Sequence, residues 1–584
     1  MKQNTGYPSI DKPQNIGATF LEANPIIPNI NIFSAIKAMS TFYRQDIAVD
    51  CLKLQATYQK LIDDSVTISR AFKELGIKKD DIITVSMPNF YQAIAVFMAA
   101  NRIGATLTFL NSFAPIEEII YYLNLFESSI YINYDKTSLE NKEIINKTKV
   151  KNVITLEKNN VNSLNINNDY RLTKSETINF NTLGSIAEFQ PKKIEKVFNS
   201  ASDALILFTS GTTGKPKAVV LTNKNIMAAA TYLKNSTHVN NTHGEKSLVC
   251  VPFTYPYGFS TSTLMSLLCG RQVVLAPDLS KGNIYEYLAK EPNIIFGSPA
   301  LLELMMNYAP RDFDLSSVKS FISGGDFLTP AMQQSGQQFF ENHHAQTIIS
   351  NGAGNAETVS CGTNSFGIKV KPETVGKILT GSDCMIVDPE TFEEKKYNEE
   401  GLLLISGKHV FKEYYKNPVQ TQEVKVTIKG KEYVNTGMFG KIDQEGYFTL
   451  TGRQSRFYII STLNKVYLDH IQGIINNIEG VRECAVVKVK DDDNLFVNKA
   501  YVVLDYDKVP NVDDYNRYIF DKCFGQIPNS KGELQQLKEY EIPSYIEIVE
   551  TLPRKQGTEK IDYSWLETDA DKERARGAKL TKKI

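Results

Sequence analysis

A chain of 584 residues with 42% hydrophobic and 22% charged side chains has the mix of an ordinary globular protein, which excludes a disordered or collagen-like one. Its 65 Lys and Arg against 66 Asp and Glu leave a net charge of −1, so no overall basic field exists to hold nucleic acid or an anionic membrane. At roughly 150 residues per unit the length suggests about four modules, enough to bury a large core without crosslinks.

Helical and strand patterns alternate through the first two thirds. Residues 57–75 have helical spacing, with Leu61, Val66, Ile68, Phe72 and Leu75 as the apolar stripe. Residues 81–87 read as a buried strand, 91–103 as a helix and 106–110 as a second strand. This alternation predicts parallel α/β sheets covered on both faces. The Asn-rich stretch 159–185 reads as a loop or flap. Near Asp443-Gln444-Glu445-Gly446-Tyr447 the pattern turns and then restarts, with a helix near 468–478 and strands at 485–489 and 498–504. A boundary is expected near Gly452, dividing the chain into 1–452, 453–566 and a charged, frayed tail 567–584.

Seven scattered cysteines form no Cys-x-x-Cys pair, so neither a disulfide framework nor a zinc site is expected. The six histidines lack metal-ligand spacing, and the adjacent His343 and His344 are expected to be exposed. The start has no apolar core of a secretory signal, and no apolar run reaches the ~18 residues of a membrane span. A soluble, cytoplasmic protein without a membrane span is the expectation.

The most informative segment is Leu207-Phe208-Thr209-Ser210-Gly211-Thr212-Thr213-Gly214-Lys215-Pro216-Lys217. An apolar strand runs into a loop of hydroxyls, glycines and lysines. Hydroxyls and glycine-exposed N–H groups are donors that suit phosphate oxygens, and the lysines add positive charge. It is not a Walker loop: two residues, not four, separate Gly211 from Gly214, and Pro216 follows Lys215.

This string resembles the phosphate loop of adenylate-forming enzymes: acyl- and aryl-CoA synthetases, peptide-synthetase adenylation domains and luciferases. The resemblance runs from about Ile36 to Asp562, with motifs in the family's order. It implies an α/β fold with a large N-terminal domain of parallel and mixed sheets flanked by helices, plus a small mobile α+β C-terminal domain. It also implies two half-reactions. A carboxylate attacks the α-phosphate of ATP to give an acyl-adenylate and pyrophosphate, and then a thiol, that of coenzyme A or a carrier-protein pantetheine, takes the acyl group.

The resemblance assigns residues in turn. Thr209, Ser210, Gly211, Thr212, Thr213, Gly214 and Lys217 would contact phosphates. Ser323-Gly324-Gly325-Asp326 ends a predicted strand, and Gly324, Gly325 and Asp326 would lie against adenine, where glycines permit close approach. Asn351-Gly352-Ala353-Gly354-Asn355-Ala356-Glu357 resembles the family's Gly-Tyr-Gly-x-Thr-Glu segment. Asn351, Gly352, Ala353 and Gly354 would touch the nucleotide, and Glu357 would hold Mg²⁺ on the ATP phosphates, as a carboxylate suits that hard cation. Ala353 stands for the stacking aromatic and Ala356 for the phosphate-contacting Thr. Those losses are worth about 0.5–1.5 and about 1 kcal/mol.

Thr436-Gly437-Met438 replaces Thr-Gly-Asp, whose carboxylate grips both ribose hydroxyls at about 1.5–3 kcal/mol per bond. Arg453 would meet ribose or phosphate, since a planar cation suits anionic oxygens. Arg456 takes the hinge position. Leu552-Pro553-Arg554-Lys555-Gln556-Gly557-Thr558-Glu559-Lys560-Ile561-Asp562 looks like the family's C-terminal lysine motif, one residue longer and with Glu559 for Gly. Lys560 would bridge the substrate carboxylate and α-phosphate, with Lys555 as rival. Lys560, Glu357 and Thr209 form the expected catalytic set. The segment Val251–Phe259 matches the lining of the acid pocket, with Tyr255 and Gly258 on its wall. No Asp stands near Tyr255 to pair with an ammonium, so an amino acid is not expected. Tyr255, Tyr257 and Phe259 suggest an apolar or aromatic acid.

Overall fold

The computed structural model describes residues 5–572 except 159–160, 162–176, 181–182, 184–198, 210–216, 238–242, 280–282, 311, 326–327, 329, 366–368, 372, 454–455, 460–464, 491–495, 529–533 and 555–560. Among the described residues two large sheets dominate. One has eight strands, whose buried centre is Thr106–Phe109, Ile82–Ser86 and Ile130–Tyr134 in parallel. Every residue of Ile82–Ser86 is buried, as in a parallel strand covered on both faces, and the hydroxyls of Thr84 and Ser86 are paired with Ser128 and the Asn111 carbonyl.

The helices between these strands follow from their sequence. Thr57 starts the helix Tyr58–Glu74 by accepting the Lys60 N–H on its hydroxyl, 3.1 Å. The helix Tyr91–Ile103 buries every side chain except Arg102 and stops at Gly104, whose φ of 78° permits the left-handed cap. It lies in the main core, which joins Ile83, Val85 and Leu107 of the first sheet to Val249, Val273 and Phe296 of the second.

The second large sheet has seven strands. Ile294–Gly297, Ser320–Ser323 and Ile348–Asn351 are parallel neighbours, with Gly297 beside Ser323 and Ser323 beside Asn351. Their carboxyl ends therefore open side by side, the edge where α/β sheets place ligands. A third, antiparallel sheet contains Gly401–Ser406, Lys431–Ile442 and Phe448–Arg453. Further on, Val481–Lys490, Phe496–Leu504 and Tyr545–Ile548 make a three-stranded sheet. The helices Leu468–Ile475 and Tyr515–Cys523 pack on one of its faces and Tyr563–Lys572 on the other. The α/β expectation with a small α+β part is thus borne out, and the helices and strands read from the sequence lie within a few residues of their expected limits.

Four details differ from or refine these expectations. His343 is buried, with its Nδ1 2.8 Å from the Phe339 carbonyl oxygen, while His344 is exposed as expected. The hydrogen bond to its own helix lets the imidazole pack inward against Phe339. Within the expected flap, Thr177–Asn179 is a strand added to the edge of the first sheet; most of 159–185 lies outside the described residues. The last helix runs to Lys572, past the expected start of the tail at Glu567, because Leu566 and Ala570 are buried on the small sheet. All seven cysteines are free thiols. No helix among the described residues is long and apolar enough to cross a membrane.

Candidate active site

A cavity of about 1230 Å³ opens where the carboxyl ends of the second sheet face the first and third sheets. Thr209, Lys217, Gly324, Gly325, Asn351, Gly352, Ala353, Gly354 and Glu357 all line it, whereas Gly258 and Arg453 are not among its lining residues. Tyr255, Met438 and Arg456 line it as well.

The strands Asp203–Phe208 and Ala218–Thr222 are antiparallel, and the hydroxyl-rich loop joins them. Thr209 and Lys217 close its neck: the Thr209 N–H donates to the Lys217 carbonyl at 2.9 Å, and the Lys217 N–H donates to the Thr209 hydroxyl at 3.2 Å. The tip with Ser210, Gly211, Thr212, Thr213 and Gly214 lies outside the described residues, as does Asp326.

The segment after Asn351 approaches its return strand closely. Gly354 has no room for a Cβ, which would stand 2.3 Å from the Ser360 carbonyl carbon. The Ala353 N–H donates to the Thr363 hydroxyl at 2.9 Å. Asn355 caps the short 3₁₀ turn Ala356–Thr358, its Oδ1 accepting the Thr358 N–H at 3.1 Å. Val359 and Ser360 then both take left-handed φ, 56° and 57°. That conformation is strained for a β-branched valine, and strain of this kind gathers at functional sites.

The turn carries Glu357, whose side chain is buried at the cavity wall. Burial pushes its carboxyl above the usual range, offset in part by the hydrogen bond from Tyr414 and the charge of Lys217. The Tyr414 hydroxyl donates to Glu357 Oε1, and the Lys217 ammonium stands 5.0 Å from the centre of the Tyr414 ring. Tyr414 is the participant that motif reading missed. It lies 57 residues from Glu357, and no spacing rule connects them.

Two further lining residues are apolar. Met438 is 5% exposed, and its N–H donates to the Thr436 hydroxyl at 3.2 Å. In the paired strands it faces Arg453. Ala353 adds only a methyl group to the lining.

The segment Val251–Phe259 runs into an eight-residue π-helix, Tyr257–Leu264. The Ser262 and Thr263 hydroxyls donate to the carbonyls five residues back, at 2.6 and 2.8 Å. Tyr257 faces the cavity and donates its hydroxyl to the Ile322 carbonyl at 2.6 Å. Gly258 sits behind, where a Cβ would come within 2.3 Å of the Pro252 carbonyl oxygen. Phe259 belongs to the core rather than the pocket, fully buried against Phe97, Phe109 and Phe253.

Arg456 is bound to elements later in the chain. Its guanidinium pairs with Asp469, donates to Gln472 Oε1 at 3.1 Å and to the Val486 carbonyl at 2.9 Å, and lies 3.5 Å over the Tyr563 ring. Lys555 and Lys560 fall outside the described residues. Their loop is closed at its neck by pairing of Arg554 with Ile561, and by the Asp562 N–H donating to the Pro553 carbonyl at 2.9 Å. Ile561, next after Lys560, lines the cavity.

Known proteins resemble this chain in sequence and in fold. The chain is 24% identical to a long-chain-fatty-acid–CoA ligase of Bacillus subtilis over 491 residues, 82% of this chain and 86% of that one. It is 25% identical to 4-coumarate–CoA ligase 3 of Arabidopsis thaliana over 462 residues, 77% of this chain and 78% of that one. The fold superposes on ATP-bound MatB from Rhodopseudomonas palustris with a TM-score of 0.78 at 21% identity, covering 93% of this chain and 99% of that one. Residues 40–415, well over half of the chain, match the AMP-binding enzyme family, and the chain belongs to it.

Proposed function

We propose that this protein joins an apolar or aromatic carboxylic acid to the thiol of coenzyme A, with ATP cleaved to AMP and pyrophosphate. The observation that carries this reading is one continuous cavity. It holds the neck of the hydroxyl–lysine loop, the Glu357 carboxylate and an apolar wall of Tyr257, Phe296, Ile322 and Leu328. Its volume exceeds that of most single-ligand pockets, leaving room for a nucleotide and an acid together.

In this reading Thr209, Ser210, Thr212, Thr213 and Lys217 bind the triphosphate. A carboxylate oxygen of the acid forms a bond to the α-phosphorus while the bond to the departing pyrophosphate oxygen breaks. Lys560 steadies the two anions as they meet. Sulfur of the thiol then bonds to the acyl carbon, and AMP leaves with the former bridging oxygen.

Glu357 fits Mg²⁺ delivered on ATP, because that cation is held by one or two carboxylates plus substrate phosphates and keeps several waters. Bound there, it would neutralise phosphate charge. Gly324, Gly325, Asp326, Asn351 and Gly352 take the adenine side, and Arg453 the ribose or phosphate. The unit that begins at 453 brings Lys560 to the site. The contacts of Arg456 support a pivot immediately before it rather than at it.

The names of the Bacillus and Arabidopsis relatives support coenzyme A as acceptor. Acid-dependent pyrophosphate–ATP exchange over a panel of carboxylic acids, with coenzyme A consumption followed in parallel, tests the reading. Exchange with transfer only to a carrier pantetheine would move the acceptor to a carrier protein. The buried Met438 and small Ala353 favour a second reading, a nucleotide- or acyl-binding descendant without turnover. ATP binding without exchange for any acid would select it.

A further inference from the structure

A short segment, residues 411–415, is bonded to two parts of the cavity wall at once. Toward the Glu357 turn, the Phe411 N–H donates to the Glu357 carbonyl at 2.8 Å, and the Tyr414 hydroxyl donates to the carboxylate. Toward the phosphate loop, Glu413 and Tyr414 pair with Val220 and Val219, and the Tyr415 N–H donates to the Ala218 carbonyl at 2.8 Å. Ala218 directly follows Lys217. The Tyr414 N–H is itself held by the Thr421 hydroxyl at 2.9 Å.

The Tyr414 side chain repeats this double attachment. Its ring packs on Phe411, with centroids 4.9 Å apart, and lies under the Lys217 ammonium. A phenylalanine would meet both of those needs. The hydroxyl adds one thing only, a bond to Glu357 Oε1, and Oε2 stays outside that bond. A carboxylate held by one oxygen has its rotation fixed while the other oxygen is left to face a ligand.

We propose that Tyr414 is a positioning residue: its hydroxyl fixes the Glu357 carboxylate and its ring carries Lys217, so that one side chain sets a carboxylate and an ammonium for the same triphosphate. The proposal rests on the reading of the cavity as an ATP site. The two parts of the side chain do separable work. The hydroxyl governs how much Mg²⁺ strengthens ATP binding. The ring governs the affinity that needs no metal.

The test is calorimetric ATP binding to the full chain with and without Mg²⁺, with thermal melting as a check on folding. Tyr414→Phe is expected to weaken ATP binding in Mg²⁺ about tenfold and to leave metal-free binding within about twofold. Tyr414→Leu, which also removes the ring, should weaken metal-free binding by about threefold more. Glu357→Gln should remove the Mg²⁺ gain, and Tyr414→Phe should then add nothing in that background. If Tyr414→Phe keeps the full Mg²⁺ gain, or loses the same factor in the Glu357→Gln background, the positioning role is overturned. A wild type that binds no ATP would sink the nucleotide reading and this inference with it. A wild type that binds while Tyr414→Phe matches it sinks this inference alone.

Discussion

The side chains that line the cavity span two ends of a polarity scale: at the polar end Lys217, Glu357 and Tyr414 form a connected group, and at the apolar end Ala353 and Met438 offer methyl and thioether groups. The two ends differ in kind as well as polarity. The polar end is built from strand pairing, a capped turn and two left-handed residues, so its side chains have little freedom. At the apolar end Met438 lies on the strand Lys431–Ile442 and Ala353 in the loop that follows Ile348–Asn351, and neither side chain can donate or accept an ordinary hydrogen bond. In the proposed ATP reading, the contrast separates chemistry on phosphates from grip on a nucleoside within one site. The polar end should govern turnover, and the apolar end should govern affinity.

The largest effect that could break this contrast belongs to Lys560. Lys560→Ala should lower acid-dependent pyrophosphate exchange about 10²–10³-fold yet spare thiol transfer from a synthetic acyl-adenylate, where no pair of anions needs bridging. Lys555→Ala should do neither. Exchange lost in the Lys555 variant instead would shift the assignment to that residue. At the loop itself, Thr212→Ala with Thr213→Ala should reduce exchange about 10²-fold with unchanged melting. Wild-type exchange in that double variant would remove the loop from the phosphate end.

A pH experiment sharpens the contrast from behind the polar end. His409 is fully buried, and burial holds its imidazole down at about 4 rather than 6.5, partly offset by the Cys361 backbone. The unfolded chain therefore binds this proton first. Stability should be complete above about pH 6.5 and fall by about 3 kcal/mol as pH drops to about 4. Melting of His409→Leu across that range should show a flatter slope; equal slopes would exclude His409 as the source.

The smallest effect is the one at the apolar end. Met438→Asp should tighten ATP binding about tenfold, as a carboxylate regains hydrogen bonds to the sugar. No gain by calorimetry would mean that another group already fills that role, and the ends would differ less than their side chains suggest.

Much of this site is legible without the fold, because its motifs are local. The loop 207–217, the pair Gly324 and Gly325, and the turn at Glu357 each announce themselves within a dozen residues. The central strands are equally plain, since Ile82–Ser86 is rich in β-branched residues and Thr106–Phe109 follows its helix at once. The hidden parts depend on distance. Tyr414 reaches Glu357 only through the pairing of Glu413–Tyr414 with Ala218–Thr222, and nothing near Tyr414 in the chain signals a carboxylate. Phe259 groups with Tyr257 in the sequence because both are aromatic and two residues apart. In a wide helix that spacing points the rings in different directions, one into the cavity and one into the core.

That wide helix has a further consequence. In Tyr257–Leu264 each turn contains an extra residue, and the Ser262 and Thr263 hydroxyls tie the ladder to the carbonyls five positions back. Deleting one residue would let one turn tighten to the ordinary α-helical turn while the flanks keep their phase, so that only the residues of that turn shift their facing. The flanking strands would keep their pairing, and a different side chain would then face the cavity. The wall can thus exchange its facing residue through a one-codon gain or loss, a change most buried elements could not survive, and a lineage could reshape the cavity without rebuilding the sheets around it.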